Sequence, residues 1–118
     1  MDFDLYYDWD AQPVSHQRWM ELFRLDRRVA YTDLGQQGRV STVWLGLNHA
    51  YPPPWGDDTR PLIYETMVFG GPLADEMLRY TTLGQARTGH QFMVMRLTSL
   101  AGATKARQLI HKGGKPRR

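Results

Sequence analysis

The sequence predicts an α+β domain: a small antiparallel sheet of about four strands with two helices packed on one face. Three observations carry that expectation. The stretch from Arg39 to Gly71 holds two strand-like segments, 40–47 and 62–69, each long enough to stand at the centre of a sheet. Downstream, Ala86, His90, Met93 and Leu97 recur at i, i+4, i+7 and i+11, a single helical stripe that should face that sheet. Hydrophobic residues make up 42% of the 118, which suffices for one core and is too many for a disordered chain.

The elements follow in order. Phe3, Leu5 and Tyr7 alternate with polar neighbours, the pattern of a half-buried strand, and Asp10-Ala11-Gln12-Pro13 is turn chemistry. Asp2, Asp4, Asp8 and Asp10 lack the central glycine and terminal Glu of a calcium loop, so they read as a solvated strand face. Ser15 can cap a helix running to about Leu25, with Trp19, Leu22 and Phe23 on one apolar face. Residues 29–34 are short and β-favouring, and Gly35-Gln36-Gln37-Gly38 is a hairpin connection.

The next strand, 40–47, has Ser41, Val43, Leu45 and Leu47 on one face and Val40, Thr42, Trp44 and Gly46 on the other. The first set is the more apolar and is expected to meet the helices. Trp44 then lies on the opposite face and needs cover. In the strand 62–69 the same reasoning puts Ile63, Glu65, Met67 and Phe69 on the helix side, which buries Glu65. Leu73 to Leu78 reads as a helical turn and Arg79-Tyr80 as a brief extended return. Thr82 with Gln85 matches a capping box at the start of the second helix, expected to reach about Leu97. Gly89 lies within that helix, where a glycine permits close approach to the sheet.

Charge divides the chain. From Ala101 onward stand Lys105, Arg107, Lys112, Lys115, Arg117 and Arg118 with no acid. The other nine of the 15 basic residues face all 12 acids in residues 1–100, which carry a net −3. The expected organisation is a domain over 1–100 and a basic C-terminal tail over 101–118. The tail is expected to be partly disordered, with a weak helix over 104–111. A mildly acidic body argues against a basic nucleic-acid face on the domain, whereas the six tail cations could hold nucleic acid without sequence preference.

Composition closes other routes. The chain has no cysteine, which excludes disulfides, thiolate catalysis and cysteine-bound zinc. No apolar run approaches the roughly 18 residues of a membrane span, and MDFDLYYDWD does not read as a targeting peptide. No membrane association and a cytoplasmic location are expected. No P-loop, dinucleotide fingerprint or nucleophile elbow occurs, and no cofactor is expected.

Two constellations remain. The loop NHAYPPPWGDDTRP places Tyr51 and Trp55 beside three prolines, which makes them, with Trp44, candidate partner-binding residues. The bland alternative is that Trp55 folds back over Trp44. His49, Glu65 and His90 could converge as a polar cluster, a metal site or an acid–base site. No paired motif supports the last two, and a hydrogen-bonded Glu–His pair satisfying a buried carboxylate is the simpler expectation.

Two phrases carry a resemblance. Ser41-Thr42-Val43-Trp44-Leu45-Gly46-Leu47-Asn48-His49 and Tyr64-Glu65-Thr66-Met67-Val68-Phe69-Gly70-Gly71 resemble a family of small proteins of actinobacterial phages and prophages. Its members read like STVWLGLDH, then a loop, then FETMVFGG. Tyr80-Thr81-Thr82 and Gly89-His90 look like the family's continuation, and the likeness spans residues 7–97. Asn48 and the proline-rich loop depart from the pattern, and the basic tail lies outside it. The resemblance implies a phage-related origin and a shared α+β fold, and no biochemical activity. The expected function is that of a non-enzymatic accessory protein binding a host or phage macromolecule. The alternatives are a nucleic-acid-associated protein acting through its tail and a small hydrolase or metal enzyme at the His/Glu site.

Overall fold

The computed structural model describes residues 5–48 and 60–112, with side chains through Leu100. Its core is a four-stranded antiparallel meander crossed on one face by a long helix. The strands β1 (Arg28–Asp33), β2 (Arg39–Trp44), β3 (Tyr64–Phe69) and β4 (Met77–Tyr80) lie side by side in chain order. The helices are α1 (His16–Phe23) and α2 (Leu83–Lys112). The architecture is thus α+β, with the two central strands of the prediction paired over spans shorter than expected, from Arg39 opposite Phe69 to Trp44 opposite Tyr64.

Local chemistry sets the helix starts. The Ser15 hydroxyl accepts from the Arg18 amide at 3.1 Å and begins α1. At α2 the capping box is complete. Thr82 Oγ1 accepts from the Gln85 amide at 3.1 Å, and Gln85 Oε1 accepts in return from the Thr82 amide at 3.2 Å. The four stripe residues Ala86, His90, Met93 and Leu97 are all buried against the sheet, as their spacing requires. The helix does not stop near Leu97. It continues through Gly102 to Lys112, across the expected boundary between domain and tail.

The sheet presents to α2 the faces opposite to those expected. Val40, Thr42 and Trp44 of β2 and Tyr64, Thr66 and Val68 of β3 are fully buried. Ser41, Val43, Glu65 and Met67 point the other way. The cause lies at the strand ends. β2 stops at Trp44, and Gly46 takes a left-handed φ of +65°, so Leu45 and Leu47 do not belong to the alternation that seemed to favour their face. The amides of Leu45 and Gly46 both bond to the Ile63 carbonyl, at 2.7 and 3.2 Å. Ile63 is buried but precedes β3, so its burial does not carry Glu65 inward with it.

The core has three layers along the strands. At one end Trp44, Tyr64, Ile63, Tyr7 and Ala86 form a cluster against which Trp19, Leu22 and Phe23 of α1 pack. At the other, Val40 and Val68 meet Met93 and Leu97. Between them lies the row of Thr42 and Thr66, directly paired across the strands. The N-terminal segment is less regular than the strand expected there. Tyr6 and Tyr7 make single bridges to Leu47 and Pro13, Tyr7 is buried, and Leu5 is exposed. The following turn is held by the Asp8 carboxylate, which accepts from the amides of Asp10 and Gln12 at 2.9 Å.

Where the two hairpin tips meet, the backbones touch without side chains. The β1–β2 connection is a 3-10 turn, Gly35–Gln37, and the β3–β4 connection begins with Gly70-Gly71. Gly71 has a φ of +73°, and a Cβ built there would lie 2.0 Å from the Gln37 carbonyl oxygen. Only glycine fits that approach.

Candidate functional site

His90 anchors a line of polar contacts through the middle of the core. The α2 stripe carries it into the middle core layer, where it is 1% exposed. Its Nδ1 lies 2.8 Å from Thr42 Oγ1 and its Nε2 2.9 Å from Thr32 Oγ1. Thr42 Oγ1 in turn meets Thr66 Oγ1 at 2.5 Å, and the Tyr80 hydroxyl donates to Thr66 at 3.0 Å. Each of the four strands thus contributes one side chain to a line of hydrogen bonds that α2 completes. One assignment satisfies every member: Tyr80 donates to Thr66, Thr66 to Thr42, Thr42 to Nδ1, and the Nε2–H to Thr32. It requires a neutral imidazole. Burial pushes the His90 pKa below its ordinary value in the same sense.

Glu65 does not join this line. It lies on the far face of β3, opposite Arg79 on β4, and accepts from Arg79 Nε at 3.2 Å. The expected pairing of Glu65 with His90 is therefore corrected: two threonines satisfy the histidine, and an arginine satisfies the carboxylate. His49, the third member, lies outside the described residues. Among the described residues no group of three or more His, Asp or Glu is placed to hold a metal ion. A cross-strand ion pair at a partly open surface contributes up to about 1 kcal/mol. Glu65→Gln should accordingly leave thermal stability within about 1 kcal/mol of the parent, and a loss several times larger in calorimetry would contradict this placement.

Trp44, expected on an uncovered face, is instead fully buried and cannot contact a partner. Its cover comes from the N-terminal segment: Trp9 stacks on it with ring centroids 5.5 Å apart and planes at 14°. Phe23 of α1 approaches from another side at 6.4 Å. The Trp9 carbonyl accepts from the Tyr64 hydroxyl, whose pKa is pushed up to about 12 by burial first and by Asp10 and Asp8 second. Tyr51 and Trp55 lie outside the described residues. Lys105, Arg107 and Lys112 fall within α2, while Lys115, Arg117 and Arg118 lie beyond the described residues.

Two surfaces emerge that residue patterns did not single out. The first is the sheet face turned away from α2. Tyr31, Phe69 and Met77 are exposed there by 41%, 46% and 41%, and Arg28 lies over the Tyr31 ring at 4.7 Å. The alternation of β1 and β3 contains this face, but only once Thr32 and Thr66 are known to point inward. The second is an open groove of about 580 Å³ along α2, lined by Leu73, Phe92, Met95, Arg96, Ser99 and Leu100. At its rim Arg96 grips both carboxylate oxygens of Glu76, at 2.8 and 3.3 Å. Among the described residues no helix is long and apolar enough to cross a membrane.

Comparison of the chain with protein-family models, with curated proteins and with solved structures gave no match.

Proposed function

We propose that this chain is a non-enzymatic accessory protein of an actinobacterial phage or prophage, and that it binds a protein of the host or phage in the host cytoplasm. The observation that carries the binding role is the open sheet face. It sets Tyr31, Phe69 and Met77 in water on a rigid four-stranded platform. Aromatic, methionine and arginine side chains are the types enriched where proteins meet, and exposed apolar groups gathered on one face mark interaction surfaces. The internal polar line supports the same reading, because each of its members is occupied in holding α2 to the sheet.

The test is affinity capture from a host lysate with the parent protein and with a Tyr31→Glu/Phe69→Glu variant. Both positions are exposed, so the variant should keep its unfolding temperature while losing a stoichiometric protein partner. Equal capture by the two would remove this face from the proposal. A second reading has its own observation. Every charged residue within α2, namely Arg87, Arg96, Lys105, Arg107 and Lys112, is a cation, which favours non-specific attraction to nucleic acid. Retained material that disappears on nuclease treatment or on truncation at Ala101 would favour that alternative.

A further inference from the structure

We propose that β1 is a self-association edge, along which two copies pair their β1 strands antiparallel about a two-fold axis at Tyr31 and join their sheets into one. The strand is an outer one in the order β1-β2-β3-β4, so one of its sides has no neighbour among the described strands. The register shows what that side offers. Leu34 donates its amide to the Gly38 carbonyl at 2.9 Å, so the Leu34 backbone faces β2. Counting back along the antiparallel ladder, Thr32 and Ala30 also bond toward β2, while Tyr31 and Asp33 make the non-bonded pairs with Ser41 and Arg39. The amides and carbonyls of Tyr31 and Asp33 therefore point away from the sheet. An edge of this kind is a template for a further strand.

Charge selects the occupant. Measured against β2, Arg28 stands opposite Val43, Tyr31 opposite Ser41 and Asp33 opposite Arg39. Arg28 and Asp33 are thus equally far from Tyr31, one on each side. That symmetry depends on the irregularity between Arg28 and Ala30, where an extra residue brings Arg28 onto the same face as Tyr31. The Arg28 guanidinium lies over the Tyr31 ring at 4.7 Å. All three side chains are exposed, and neither Arg28 nor Asp33 is in an ion pair among the described residues. One Asp33 carboxylate oxygen accepts from the Gly35 amide, which leaves the other open.

Antiparallel pairing about Tyr31 makes these features self-complementary. Tyr31 of each copy exchanges its amide and carbonyl bonds with its counterpart. On the outer face each Arg28 then stands opposite Asp33 of the other copy, on both sides of a central tyrosine pair, and opposite charges in facing cross-strand positions are favourable. A two-fold interface requires such a patch, in which one residue meets a second and the second meets the first. Moving the axis to Thr32 would set Asp33 against Tyr31 and leave Arg28 facing the Gly35–Gln37 turn. The other edge lacks this complementarity, because β4 presents Met77 and Arg79 outward and contains no acid. The dimer sets the two open sheet faces side by side as one platform, and it does not rest on the partner-binding role proposed for that face.

The test uses the purified full chain, so its result is independent of any host partner. Light scattering should show the parent as a dimer. Arg28→Asp and Asp33→Arg each place like charges opposite one another twice across the axis. Each should weaken the dimer by about tenfold or more, with helix and sheet content unchanged by circular dichroism. Combining the two exchanges the signs and should restore the parent dimer, an outcome that a folding defect cannot produce. The chain has no cysteine, so single cysteines report the register. Treated with a short bismaleimide, Tyr31→Cys should give a covalent dimer. Met77 lies in the same row across the sheet, through Ser41 and Met67. The Met77→Cys thiols of the two copies then stand about 34 Å apart, at roughly 4.8 Å per strand, and should remain uncoupled. A monomeric parent at high concentration, a double charge variant no tighter than either single one, or cross-linking of Met77→Cys without Tyr31→Cys would overturn the proposal.

Discussion

Gly89→Ala is expected to lower stability by about 2 kcal/mol, although alanine is by itself the better helix former by about 1 kcal/mol. The reason is the closeness of α2 to β4. A Cβ built on Gly89 would lie 2.0 Å from the Tyr80 hydroxyl oxygen and 2.2 Å from the ring carbon that bears it. Tyr80 cannot swing aside freely, because its hydroxyl donates to Thr66 and opens the hydrogen-bond line to His90. The overlap must therefore move the helix or break that bond. Chemical denaturation of Gly89→Ala, Tyr80→Ala and the double variant tests the cause. The two changes should be strongly non-additive, with the double variant close to Tyr80→Ala alone. A stabilised Gly89→Ala protein would show that the approach is looser than the structure has it.

His90→Leu is expected to cost about 2–4 kcal/mol, since leucine fills the space but leaves the buried hydroxyl of Thr42 and the half-buried hydroxyl of Thr32 without the imidazole. The loss should shrink when the facing hydroxyls are also removed. His90→Leu/Thr32→Val/Thr42→Val is expected to be no less stable than His90→Leu alone, because apolar groups of similar shape replace the hydroxyls that lost the imidazole, while Tyr80 keeps Thr66 as its acceptor. The same residue makes stability depend on pH. Its folded pKa lies below the ordinary value of 6.5, so the unfolded chain takes up this proton more readily than the folded one. Stability contributed by the neutral ring is present above about pH 6.5 and is lost as the pH falls from there toward the lowered folded pKa. Unfolding measured from pH 7.5 to 5 should show the parent declining more steeply than the triple variant. Parallel profiles would mean that His90 titrates as it does in the unfolded chain.

Much of the fold was legible in the sequence because it is decided locally. Ser15, Thr82 and Gln85 satisfy orphan amides within three residues of themselves, so the helix starts needed no tertiary information. The stripe of Ala86, His90, Met93 and Leu97 is a property of helical spacing, and burial followed it residue by residue. The pairing of the two central strands was visible in their length and composition. Gly89 marked the close approach of helix to sheet. Phe92 and Met95 lie in the same helical spacing but opposite that stripe, and they are exposed.

Tertiary structure alone decided which faces of the strands turn inward, and with them the candidate sites. Alternation supplies two faces but no direction. The direction here rests on where β2 and β3 end, set by Gly46 and by the bonds of Leu45 and Gly46 to the Ile63 carbonyl. It rests also on whether threonines can be buried. Thr42 and Thr66 look like surface residues until His90, 48 residues beyond Thr42, supplies the missing hydrogen bond. Once that bond exists, Thr42, Thr66 and Trp44 go inside, Glu65 goes out to Arg79, and Tyr31 and Phe69 are left in water. A buried polar group costs free energy unless a partner meets it, and a partner so distant in the chain is brought near only by the completed fold.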